Sequence, residues 1–92
     1  MNSNSEIRQT IAEMGYEDTL FLDPDYLDEA IIGLTHDGRV AYDYDKLVAA
    51  FVTHDNMDAE AATEWIEYNT IRSLPYYSQA PVIIYNLDNL NG

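Results

Sequence analysis

The stretch Ala30-Ile31-Ile32-Gly33-Leu34-Thr35-His36-Asp37-Gly38-Arg39-Val40-Ala41-Tyr42-Asp43-Tyr44 decides how this chain folds. Residues 30–35 are almost continuously apolar, which suits a buried strand. Asp37-Gly38 is a strong local signal for a tight hairpin turn. Residues 39–44 then alternate, with Val40, Tyr42 and Tyr44 on one side and Arg39 and Asp43 on the other. Such alternation predicts a strand with one buried and one solvated face. The block reads as a β-hairpin whose second strand suits the edge of a sheet.

Beyond the hairpin, Leu47, Val48, Phe51 and Val52 recur at helical spacing and predict a helix over 45–54, with Lys46, Ala49, Ala50 and Thr53 facing away. Asp58 is placed to cap a second helix over 59–70. There Ala61, Ala62, Trp65, Ile66 and Tyr68 share one side, and Glu60, Glu64 and Glu67 share the other. Asn69 falls on the inward side and Arg72 near its edge. Both are expected to hydrogen-bond backbone carbonyls, with Asp43 or Asp45 as a partner for Arg72. Leu74-Pro75 closes the segment, and Val82-Ile83-Ile84-Tyr85 is a last strand, apolar on both faces. Before the hairpin, Asp23-Pro24 opens one helical turn over 24–28. Ile7, Ile11 and Met14 predict a short helix over 5–14, ended by Gly15.

The predicted order is α-β-β-α-α-β in one α+β domain. A right-handed crossover sets the last strand beside the first. The expected architecture is thus a three-stranded antiparallel sheet, order 3-1-2, with helices packed on one face. Trp65 is expected in the core with Phe51, Leu47, Ile32 and Ile84. Residues 1–4 are expected to be disordered, 5–87 to form the domain, and 88–92 to be a polar tail.

Composition narrows the function classes. The chain has 92 residues and no cysteine, which excludes disulfide scaffolds and thiolate metal sites. A domain this small has room for one core and none for a second domain. No apolar run is long enough to span a bilayer. The stretch Met1-Asn2-Ser3-Asn4-Ser5-Glu6 has neither the charge nor the apolar core of a signal peptide, so the cytoplasm is the expected compartment. Seventeen acidic residues stand against four basic ones, for a net charge of −13. Nucleic acid and anionic membranes should be repelled, and a basic protein surface attracted. A hydrophobic content of 47%, with eight tyrosines, separates the chain from disordered acidic tails.

Motifs for chemistry are missing. His36 and His54 lie far apart in sequence with no cysteine to complete a zinc site, so they read as a turn residue and a helix-end residue. Asp55-Asn56-Met57-Asp58 begins like a calcium loop, but residue 60 is Glu60 where glycine is required and residue 66 is Ile66 where glutamate is required. There is no nucleophile elbow and no glycine-rich phosphate cradle. The helix pair 45–54 and 59–70 has the outline of a helix-turn-helix, but its exposed glutamates would repel DNA. These readings lead to a protein with no catalytic residue, no metal and no cofactor.

The placement of acids points to a binding role. On a helix, residues four apart lie about 6 Å apart, and phosphates along a nucleic-acid strand are spaced on a similar scale. Glu60, Glu64 and Glu67 form one candidate row, with Asp43 and Asp45 at the strand–helix junction. Glu17, Asp18, Asp23, Asp25, Asp28 and Glu29 form a candidate second acidic surface. Tyr76 and Tyr77 are candidate aromatic contacts. The plainer reading of these charges is a solvated surface that keeps the chain soluble.

Three segments carry a resemblance: Asp37-Gly38-Arg39, Tyr42-Asp43-Tyr44-Asp45-Lys46-Leu47, and Glu64-Trp65-Ile66-Glu67-Tyr68-Asn69-Thr70-Ile71-Arg72-Ser73-Leu74-Pro75-Tyr76. Over about residues 29–86 the chain resembles small, acidic, largely uncharacterised proteins encoded on phages and other mobile elements of Gram-positive bacteria. Some proteins from such elements inhibit host defence, anti-CRISPR and anti-restriction proteins among them. The resemblance implies an inhibitor, and the charge and its spacing direct that expectation at a basic nucleic-acid-handling protein, bound by nucleic-acid mimicry. The competing expectation is a small structural or regulatory adaptor, with a homodimer compatible with either.

Overall fold

The computed structural model describes residues 3–16, 18–77 and 79–87. Helix α1 spans Ser3–Glu13, reaching two residues into the stretch expected to be disordered. A 3-10 segment, Asp25–Ala30, leads into strand β1 (Ile31–Leu34), then β2 (Val40–Asp43) and helix α2 (Tyr44–Asp55). Helix α3 (Ala59–Trp65) continues as a π turn (Ile66–Thr70) and a 3-10 segment (Ile71–Tyr76), and strand β3 (Val82–Ile84) follows. The expected tail 88–92 and the first two residues lie outside the described residues.

The result is a small α+β fold with a three-stranded sheet and packed helices, but the sheet differs from the expected one. Its order is β1-β2-β3, with β2 in the centre. β1 and β2 pair antiparallel, whereas β2 and β3 pair parallel, matching Ala41 to Val82 and Asp43 to Ile84. β2 is buried at all four positions, hence on both faces. Its alternation misled because the polar residue at its end serves a local purpose. The Asp43 carboxylate accepts the Lys46 N–H at 2.9 Å and caps α2. The other outward residue, Ala41, is small enough to be covered. A parallel pair needs a crossover of a dozen or more residues, which α2, α3 and the turns after them supply. β1 instead borders α1, across a groove lined by Ile7, Ile11, Ile31 and Leu34. The register slips between Ile31 and Gly33, and the extra residue of that bulge, Ile32, is exposed.

The hairpin turn forms as predicted from Asp37-Gly38. Thr35 N–H donates to Arg39 O at 2.7 Å and Gly38 N–H to Thr35 O at 3.0 Å. Gly38 has φ +88, and a Cβ there would meet the Tyr16 ring at 2.6 Å. Glycine is required on both counts.

The core joins Leu27 and Ala30 of the first 3-10 segment, Val40 and Tyr42 of β2, Leu47, Ala50 and Phe51 of α2, and Ala62 and Ile66. Two polar fixtures hold it. Arg8 of α1 forks onto the buried Asp28 carboxylate, Nε to Oδ2 at 2.5 Å and Nη2 to Oδ1 at 3.0 Å. The Tyr42 hydroxyl accepts the Leu22 N–H at 2.9 Å. Burial drives the Tyr42 phenol up to about 12, only partly offset by that hydrogen bond.

Candidate protein-binding face

Asp58 caps α3, its carboxylate accepting the Ala61 N–H at 2.7 Å. The helix turns Ala62 inward, and Ile66 and Thr70 continue the buried line at i+4 steps. Within residues 66–70 the backbone widens to i→i+5 hydrogen bonds, so each residue turns through a smaller angle than in an α-helix. That change decides the surface. Thr70 is buried in the place expected for Asn69, and Asn69 is exposed, donating from Nδ2 to Trp65 O at 3.3 Å. Tyr68 is exposed as well.

Trp65 does not sit in the core. Its residue is 46% exposed, and its ring meets Phe51 at the core's edge, with centroids 6.4 Å apart. Ile32 and Ile84, its other expected partners on the sheet, are themselves exposed. The reason is geometric: with Ala62 and Ile66 aimed inward, Trp65 lies on the flank of the helix. It forms with Met57, Ala61, Glu64, Tyr68 and Asn69 a shallow depression of about 290 Å³. The Asp43 carboxylate is taken up by its cap of α2, and the Arg72 guanidinium lies over the Tyr68 ring, 4.5 Å from the centroid.

The carboxylates divide into exposed and structural ones. Glu60 and Glu64 are exposed one helical turn apart on α3, and Glu67 is exposed on the π turn. The Tyr85 phenol is raised, first by partial burial and then by the Glu67 charge. Asp45 is exposed, but Asp43 is buried in its capping role, so the two do not form a presented pair. In the candidate second surface, Asp18, Asp23 and Asp25 are exposed. Glu29 is exposed and its carboxylate meets His54 Nε2 at 2.9 Å, while His54 stacks on Tyr26 at 4.5 Å. Asp28 is fully buried and held by Arg8, so it is not part of an exposed acidic surface. Glu17 lies outside the described residues. Tyr76 is 86% exposed and Tyr77 is more than half exposed.

The exposed Trp65 and Tyr68 are functional candidates that the helical pattern missed. The pattern assumes one period throughout 59–70, and the period changes at Ile66. The sequence signal that could have found them is weak: Ile66, Thr70 and Ile71, β-branched residues with below-average helix propensity, crowd this part of the segment.

Among the described residues no group of three or more His, Asp or Glu side chains could hold a metal ion. No helix among them is long and apolar enough to cross a membrane. Glu60, Glu64, Glu67, Trp65 and Tyr68 are exposed, with Glu64, Trp65 and Tyr68 sharing one depression and the Arg72 guanidinium over Tyr68. No protein-family model, no curated protein and no solved structure matches the chain.

Proposed function

We propose that this chain is a non-enzymatic binding protein that inhibits a basic nucleic-acid-handling protein, such as a host-defence effector, by occupying the surface where phosphates would lie. The single observation that carries the reading is the exposure of Glu60, Glu64 and Glu67 on the segment that also exposes Trp65 and Tyr68, which share a depression with Glu64. Carboxylates supply long-range attraction to a basic groove and set encounter and register. Tryptophan and tyrosine supply the desolvated contacts that dominate interface energies. A charge of −13 extends the attraction over the whole molecule and disfavours nucleic acid as the direct ligand.

The test is competition. A basic nucleic-acid-binding protein captured by the chain at low salt should lose its nucleic acid as the chain is added, with affinity falling steeply as salt rises. Binding that leaves the nucleic acid in place would refute the mimicry.

A second reading, an adaptor or homodimer whose charge serves solubility, is favoured by Tyr76, Met14 and Ile32, exposed apolar groups away from the glutamate row. It predicts association that is insensitive to salt and visible by sedimentation of the chain alone.

A further inference from the structure

Arg39 is one of four basic residues in a chain with seventeen acids. The other three are accounted for without a ligand. Arg8 is locked onto Asp28, Arg72 lies over Tyr68, and Lys46 is exposed in the first turn of α2. Arg39 is different. Its Nε is buried and has no hydrogen-bond partner. Asp37 is the nearest acid in sequence, and its carboxylate is held below the usual range, first by the hydroxyl of Thr35 and also by the charge of Arg39. That carboxylate takes its hydrogen bond from Thr35 and not from the Arg39 Nε.

Arg39 also lines a cleft of about 470 Å³. The 3-10 segment 71–76 contributes Leu74 and Pro75 as one wall, Pro81 and Val82 enter along β3, and Tyr77 and Tyr85 stand as aromatic sides. A volume of this size is in the range of small-molecule sites, which combine apolar walls with a few polar groups that fix orientation. Leaving a buried guanidinium donor unpaired is unfavourable in the free protein. A planar carboxylate is the acceptor that best fits the edge of a guanidinium. Arg39 is the one basic residue among the described residues that line the cleft.

We propose that the cleft between residues 71–77 and β3 binds a small monocarboxylate with an aromatic or branched apolar body, its carboxylate on the Arg39 guanidinium and its body between Tyr77 and Tyr85. This site is separate from the glutamate row and does not rest on its function. The overall negative charge works against anions, so the apolar body must supply part of the affinity. Selectivity for one carboxylate over two follows from the same repulsion.

Phenylacetate and its neutral isostere phenylacetamide are suitable probes, titrated into the full chain and followed by nuclear magnetic resonance. Phenylacetate should shift the Arg39 Nε–H signal and the ring signals of Tyr77 and Tyr85. Phenylacetamide should bind about tenfold more weakly or worse, the loss expected for a charge-assisted hydrogen bond. Arg39→Gln should bring phenylacetate down to the affinity of the amide. Equal binding of acid and amide to the wild-type chain would overturn the proposal, and that comparison stands even if the variant fails to fold. An Arg39 Nε–H signal indifferent to phenylacetate would also overturn it, and would mean that the donor is satisfied by water alone.

Discussion

Tyr42 shows how one side chain ties the sheet to the segment before it. Its hydroxyl is buried against Leu22, and its phenol is raised from 10.0 to about 12, chiefly by burial. Between those values the unfolded chain has released a proton that the folded chain keeps. The stabilisation is fully present below pH 10 and is lost as pH rises through about 12, by an amount on the order of 2–3 kcal/mol. Urea unfolding across that window should show the fall in the wild type, and subtracting a Tyr42→Phe curve removes the contribution of the other tyrosines. Arg8 and Asp28 make a second test at this scale. Arg8→Met leaves a buried carboxylate unpaired and should cost about 3 kcal/mol, while the double change Arg8→Met with Asp28→Leu should recover most of the loss. Gly38→Ala should destabilise by more than about 1 kcal/mol, because the positive φ and the Tyr16 ring both oppose a Cβ.

The helices and strands show which patterns were readable before the structure. The hairpin turn, the α2 stripe through Leu47 and Phe51, and the Asp58 cap follow from local rules, and they form where those rules put them. Ala50, expected outward, is fully buried because it lets α2 approach the 3-10 segment of Leu27 and Ala30, while Val52 is exposed. That rotation depends on a neighbour distant in sequence, which periodicity within the helix does not contain. Strand order depends on the same kind of contact: Ile31–Leu34, expected in the centre, lies at the edge, and Val40–Asp43, expected at the edge, lies in the centre. Of the candidate site, the exposure of Glu60, Glu64 and Glu67 was legible from spacing. The exposure of Tyr68 was not, because it depends on the change of helical period at Ile66, and that of Trp65 was not, because it follows from Ala62 and Ile66 taking the inward positions. Trp65→Ala should therefore cost about 1–2 kcal/mol, well below the penalty for a fully buried tryptophan. Equilibrium denaturation measures this, and a loss of about 4 kcal/mol would return Trp65 to the core.

At the scale of the molecule, charge separates the two functional readings. Glu60 and Glu64 repel each other at i,i+4, and such pairs cost a few tenths of a kcal/mol. Replacing Glu60, Glu64 and Glu67 together by glutamine should slightly raise the unfolding free energy of the isolated chain. If the face meets a basic groove, the same variant should bind its partner more weakly and with a flatter salt dependence. Equal affinity of variant and wild type at low and high salt would leave the charges as a solubility device. The parallel pairing of Ala41 with Val82 has a consequence for biosynthesis. Because β3 follows β2 only after α2, α3 and the turns beyond them, the central strand has only one sheet neighbour until that stretch has been made. On the ribosome the hairpin, α2 and α3 can gather first, but the sheet closes only when the last strand has left the exit tunnel. During that interval one margin of β2 offers unpaired amides to any passing chain. A nascent protein of this design has a period of vulnerability that ends when Val82–Ile84 pairs with β2, and a version stopped before Val82 would carry that exposed margin permanently.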